Sequence, residues 1–241
     1  MKKRGFIFFL CILMITVTAC GTSPKKELNQ AIERIKKVDN YKEKITLDET
    51  VTVLSNKKKR KVILDKEIDN EHQVEKRKTK TTKEKDTYQE ERYFDRNQKV
   101  VYSKDPLTNA WKKEKIKIQE FLDFSIITND DVKVEAVKSD KRLHKKYQVE
   151  LSKEDMKRLF YRQLNEEYIS MRIHEKGTIY FYINSSDYLT QIDINLTPLI
   201  DMRDPDTTCN NMKLKIQFSD YNNLEEVKIP LYVTASAVDE K

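Results

Sequence analysis

The chain has 241 residues, of which 36% are charged and 38% hydrophobic, with a formal net charge of +7. Only three glycines occur, so neither a glycine-rich phosphate loop nor a dinucleotide fingerprint can be built. No HExxH or Cys/His metal spacing and no Gly-x-Ser-x-Gly elbow is present, so neither an enzyme nor a cofactor or bound metal is expected.

The N-terminus is basic (Lys2, Lys3, Arg4) and is followed by fifteen residues without a charge, Gly5 to Ala19. As a helix that run reaches roughly 22 Å, short of the ~30 Å hydrocarbon slab, and the layout fits a secretory signal peptide better than a span. Its end, Val17-Thr18-Ala19-Cys20, resembles the bacterial lipobox: an aliphatic residue, two small ones, then cysteine. The resemblance implies cleavage after Ala19, a diacylglyceryl thioether on Cys20, and a cell-membrane lipoprotein on the extracytoplasmic face. An ordinary signal peptide with a chance cysteine is the alternative. Loss of Cys11 and use of Cys20 would leave Cys209 alone, with no disulfide possible within the mature chain. The mature domain would carry 44 basic against 40 acidic residues, a mild excess.

Gly21-Thr22-Ser23 is the whole spacer, reaching roughly 10 Å, so the folded body sits close to its anchor. Ser23 as N-cap and Pro24 at the first helical position precede Leu28, Ala31, Ile32, Ile35 and Val38 at helical spacing. From Tyr41 the period becomes two: Ile45, Leu47, Val51 and Val53 alternate with Lys44, Thr46, Asp48, Thr50 and Thr52. Glu49 interrupts the apolar face, which predicts a bulge or solvent access there. Val62, Leu64 and Ile68 repeat the pattern after a polar turn, and strands follow at Tyr88 to Phe94 and Lys99 to Ser103. Between them, Asp69 to Arg92 is so polar that it should pair without being buried on either face, as a hairpin standing clear of the core.

Lys57 to Lys85 holds twelve lysines and arginines against six acids. Without interleaved aromatics, and outside the cell, nucleic acid is not an expected partner. Anionic head groups or envelope polymers touching Lys57, Lys58, Lys59, Arg60, Lys61, Lys76, Arg77 and Lys78 would suit it. A solvated hairpin whose lysines resist edge-to-edge aggregation explains the same charges.

After Trp111, the residues Ile118, Phe121, Leu122, Ser125 and Ile126 mark a short helix ending near Asn129. Tyr147, Val149 and Leu151 predict a strand, and Ser152 to Asp155 a capping box for a helix striped by Met156, Leu159, Phe160, Leu164 and Tyr168. "GTIYFYIN", "YLTQIDINL" and "MKLKIQF" then read as strands joined by polar turns. The class is α+β: one domain over residues 24–241, a large antiparallel sheet packed on a few helices. Asp201, Asp204 and Asp206 share a loop without the EF-hand's glycine and terminal glutamate, which favours side-chain turns over a Ca²⁺ site.

The element order, with "YSKDPLTNAWKKEKI", "LTQIDINL" and "KLKIQFSDYNNLEEVKIP", resembles the LolA/LprG-like lipoprotein-carrier families. The resemblance implies a curved half-barrel sheet wrapped around helices, enclosing a lipid or other hydrophobic ligand. It points to Leu47, Val51, Leu64, Phe121, Ile194, Ile216 and Phe218 as lining residues, which ordinary core packing would equally explain. The polar Asp69–Arg92 segment departs from that pattern, and a permanent anchor favours holding or presenting a ligand over free shuttling. The other reading is a non-catalytic interaction module whose basic hairpin meets an anionic polymer, head groups or a protein partner. If Cys20 carries the lipid, labelled palmitate fed to producing cells will co-migrate with the wild-type polypeptide and be lost in Cys20→Ser; an unchanged label in that variant refutes the anchor.

Overall fold

The computed structural model describes residues 22–115, 124–139, 144–166, 171–202 and 204–239. Helix α1 (Pro24–Ile35) begins as its sequence dictates, with the Ser23 hydroxyl accepting from the Lys26 amide at 3.3 Å and Pro24 in the first turn. Its buried stripe is Leu28, Ala31 and Ile35. Full burial of a side chain such as Leu28 contributes about 1.5–3 kcal/mol. Glu27 clamps the helix to the sheet by accepting from the Tyr147 hydroxyl and pairing with Lys145 at 3.1 Å.

The chain next lays down β1 (Asn40–Val53), β2 (Asn56–Asp69), β3 (Val74–Lys83), β4 (Asp86–Asp95), β5 (Val100–Lys104) and β6 (Trp111–Lys115) as antiparallel neighbours. A 3₁₀ turn at Phe124–Thr128 precedes β7 (Lys133–Val137), β8 (His144–Leu151), α2 (Lys153–Glu166), β9 (Met171–Ile173), β10 (Gly177–Asn184) and β11 (Leu189–Asn195). After β12 (Ile200–Met202), β13 (Thr207–Ser219) returns to pair with both β1 and β11. Helix α3 (Leu231–Ser236) and β14 (Val238–Asp239) close the described chain. The result is a twelve-stranded sheet ordered β14-β6-β5-β4-β3-β2-β1-β13-β11-β10-β8-β7, with β9 and β12 pairing separately. Among the described strand pairs, only the short β14–β6 contact is parallel.

Alternation decides what each face does. Ile45, Ile216, Ile192, Phe181 and Tyr147 lie in one register row from β1 to β8 and are buried on the face that α1 covers. Helix α1 packs on β7, β10 and β11, and α2 on β8 and β9. Ser152 caps α2 as its capping box predicts: its hydroxyl accepts from the Asp155 amide at 3.1 Å and lies 2.8 Å from the Asp155 carboxylate. Met156, Leu159 and Phe160 are buried, whereas the expected contributions of Leu164 and Tyr168 lie outside the described side chains. Gly177 permits this packing, because a Cβ there would stand 2.7 Å from Met156 Cε and 2.9 Å from Leu199 Cδ1. On the opposite face Tyr93, Tyr102 and Trp111 form a second small core with Val233 of α3. The strap leading to α3 is fastened by Asp69, which accepts from the Val227 amide at 3.2 Å and faces His72 at 3.0 Å.

Three expectations from the sequence need correction. The β3–β4 hairpin does not stand clear of the core; it is built into the sheet between β2 and β5, and only the Asp86–Glu91 half of β4 extends past β5. The segment is not confined to the surface either, because Asp69 and Glu75 are buried through ion pairs and hydrogen bonds. The irregularity expected at Glu49 falls one step later, between Thr50 and Val51 against β13. Of the short helix predicted over Ile118–Ile126, residues 116–123 lie outside the described residues and the rest is the 3₁₀ turn. Strands β7, β9, β12 and β14 carry too few alternating apolar residues to be read from sequence.

Scarcity of glycine has a structural cost at the turns. Leu54 and Ser55, the two-residue loop between β1 and β2, have φ of 46° and 70°. Such a turn favours Asn-Gly, since a side chain in the left-handed region costs about 1–2 kcal/mol. Replacing Leu54-Ser55 by Asn-Gly is therefore expected to raise unfolding stability by about 1 kcal/mol in urea titration, and an unchanged or lowered midpoint would contradict this turn assignment.

Candidate functional site

Beyond the helices, the α1 face continues across β1 and β2 as an apolar floor. Leu47 is opposite Val62, Ile45 opposite Leu64, and Val51 follows on β1, opposite Lys58 on one side and Cys209 on the other. Leu47, Val51, Val62 and Leu64 are half-buried, while Ile45 is fully buried against the core. Cys209 is half-buried as well, and burial pushes its thiol pKa up, which suits a small hydrophobe better than a nucleophile.

Charged groups bound this floor on the same face. Glu49 and Arg60 lie opposite each other between the Leu47–Val62 pair and Val51, Arg60 Nε 2.6 Å from the Glu49 carboxylate, so this ion pair separates Val51 from the rest of the floor. Past Leu64, Lys66 reaches Glu43 at 2.9 Å, both largely shielded from water. Next to them Glu75 is 2% exposed; it pairs with Arg77 and, at 2.8 Å, with Arg96. Burial pushes the Glu75 carboxyl up, but hydrogen bonds and charge from Arg77, Lys66 and Arg96 outweigh it and hold it at about 2. Arg77 also lies over the Phe94 ring, 3.8 Å from its centroid.

Among the predicted lining residues, Ile194 and Ile216 are fully buried core side chains. Leu47, Leu64 and Phe218 pack at the margin of that core, Val51 sits on the floor, and Phe121 lies outside the described residues. The predicted basic tract is divided by the pleat. Lys57, Lys59 and Lys61 project from the face opposite α1, whereas Lys58 and Arg60 share the face of Leu64. Lys61 pairs with Asp48 at 3.3 Å, Lys76 with Glu67 at 3.6 Å and Lys78 with Glu91 at 3.9 Å. Lys57, Lys58 and Lys59 are exposed at the start of β2. Cys20 lies outside the described residues.

Sequence reasoning missed Glu43, Lys66, Glu75 and Arg96. A signal existed for two of them: Glu43 falls in the stripe of Tyr41 and Ile45, and Lys66 in that of Leu64 and Ile68. Opposite charges at buried parity on adjacent strands predict a pair. The Asp201–Asp206 loop forms side-chain turns, Asp204 accepting from the Asp206 amide and the Thr207 hydroxyl. No group of three or more His, Cys, Asp or Glu among the described residues is placed to hold a metal ion.

No protein-family model matches the chain, and no curated protein matches it. Among solved structures, the lipoprotein LppX of Mycobacterium tuberculosis is similar at 12% identity over 85% of this chain and 98% of its own, TM-score 0.44. LprF from Mycobacterium bovis is similar at 12% identity over 86% and 95%, TM-score 0.49. A conserved protein of Thermus thermophilus follows at 11% identity over 88% and 99%, TM-score 0.37.

The depressed Glu75 carboxyl links stability to pH. Its contribution is complete above the ordinary value of 4.5 and is lost as pH falls toward about 2. Glu75→Gln should cost about 3 kcal/mol at pH 7, because the half-buried Arg77 and Arg96 lose their counter-charge. In denaturant titrations the gap between wild type and variant should narrow between pH 4.5 and 2. A gap independent of pH would show that Glu75 is not held as an ion.

Proposed function

We propose that this chain is an extracytoplasmic lipoprotein, tethered through a lipid on Cys20, that holds or presents a lipid or other hydrophobic ligand and has no catalytic role. The supporting observation is the half-buried floor of Leu47, Val62 and Leu64, which extends the core's apolar surface past the strands that α1 and α2 cover, with Val51 beyond the Glu49–Arg60 pair. A sheet curving as a half-barrel around that floor would supply the apolar enclosure such a ligand needs. The short spacer after Cys20 keeps the floor near the bilayer, where such ligands are available. Contact of Lys57, Lys58 and Lys59 with anionic head groups is compatible with this reading, while Arg60, Lys61, Lys76, Arg77 and Lys78 already face carboxylates. That pairing favours ligand holding over a polymer-binding hairpin as the principal role.

Native mass spectrometry of the protein purified from the membrane fraction should show a co-purifying hydrophobic adduct. Leu47→Glu/Leu64→Glu, which charges the floor, should remove it. Bare protein in the wild-type preparation, or an adduct indifferent to the double substitution, would overturn this function.

A further inference from the structure

The two ends of the main sheet are finished differently. At one end β14 pairs with Lys112 and Lys113 of β6 and partly covers that edge. At the other end, among the described residues, β7 has a strand neighbour on its β8 side alone. An open edge is a template for pairing with another strand, and proteins usually blunt it with proline, a bulge or outward lysines. Strand β7, KVEAV, has no proline, and its register against β8 runs without a shift from Lys133 to Val137. Its one lysine is neutralised by Glu135 at 2.6 Å. Val134, opposite the buried Val149, is half-buried against the main core, and Ala136 is exposed.

The charges of this edge select its partner. By strand alternation Lys133 and Glu135 lie on one face of the sheet, Val134 and Ala136 on the other. A second β7, added antiparallel about a twofold axis through Val134, sets Val134 against its own copy. Lys133 then meets Glu135 of the second copy, Glu135 meets its Lys133, and Ala136 meets its Val132. Lys138 comes alongside the Asp130–Asp131 turn of the other copy. Pairing slipped by one residue would lay the apolar face of one copy beside the charged face of the other. Moving the axis to Lys133 or to Glu135 keeps the faces matched but sets that residue on its own copy, a like-charge contact. The axis through Val134 avoids both faults.

We propose that β7 is a self-association edge, where two copies of this chain pair antiparallel about Val134 and join their sheets into one. The twofold axis stands perpendicular to the sheet, so both α1 helices lie on the same side of it. Helix α1 packs on β7, and Lys25 in its first turn reaches the Val132 carbonyl at 3.2 Å. The segments leading into the two helices therefore emerge from one face of the pair, which lets both copies be tethered to one bilayer. About five residues a side make a small interface, so the pair is weak in free solution and gains from confinement to a membrane.

The test is analytical ultracentrifugation of the full chain with detergent micelles in excess. Wild type should show a monomer–dimer equilibrium with a Kd on the order of 100 µM. Lys133→Glu and Glu135→Lys should each weaken it about tenfold or more, because two opposite-charge contacts per dimer become like-charge ones. An equimolar mixture of the two variants should regain wild-type association, since every charge again faces its opposite across the axis. The double reversal Lys133→Glu/Glu135→Lys should regain it as well. Both residues are exposed, so unfolding midpoints of the variants should match wild type. A wild type that stays monomeric up to about 500 µM, or a dimer that neither single reversal weakens, overturns the proposal. A mixture that associates no better than its components overturns pairing about Val134.

Discussion

Neutralising charge between neighbouring strands is the constraint on which this architecture depends. A chain with 36% charged residues forms a twelve-stranded sheet because antiparallel register sets lysines and arginines beside aspartates and glutamates. Each exposed pair contributes little, typically 0–1 kcal/mol, and stability comes from the buried apolar rows. What the pairs provide is compatibility: they let strands as polar as β3 and β4 join the sheet without like charges meeting at every step. Where a pair is buried, as at Glu75 with Arg77 and Arg96, it becomes obligatory, since losing one partner strands a charge away from water.

The sheet divides its labour by position and by face. At the β8–β13 end, β-branched and aromatic rows pack beneath α1 and α2 and form the main core. At the β4–β6 end the α1 face grows polar, and the apolar side chains Tyr93, Tyr102 and Trp111 turn to the opposite face, where α3 covers them. The Asp69 fastening keeps the strap that carries α3 in place. Between the two cores lies the stretch of β1 and β2 that carries the half-buried Leu47, Val62 and Leu64.

Glycine scarcity adds a second constraint. Turns that ordinarily use glycine here place Leu54, Ser55, Gln73, Glu84 and Lys99 in the left-handed region. The hairpins close because long, well-matched strands offset the local cost, as in the β1–β2 pairing that runs unbroken from Asn40 to Val53. Register is then fixed by strand pairing more than by turn chemistry.

Local rules made several features legible in the sequence. The Ser23-Pro24 start, the Ser152–Asp155 capping box, and the alternation in β1, β8, β11 and β13 each depend on residues within a few positions of one another. Antiparallel pairing of hairpin neighbours followed from their short connections. The sequence could not show that β13 joins β1 to β11, that Glu75 is buried, or that Lys66, Arg77 and Arg92 align. Those depend on register summed across strands far apart in the chain, and a one-residue slip would send each of these side chains to the other face. Composition and local pattern determined most of the long strands and which charges they carried, but not the short β7, β9, β12 and β14. Only the assembled sheet decided which charges became buried partners and which were left side by side.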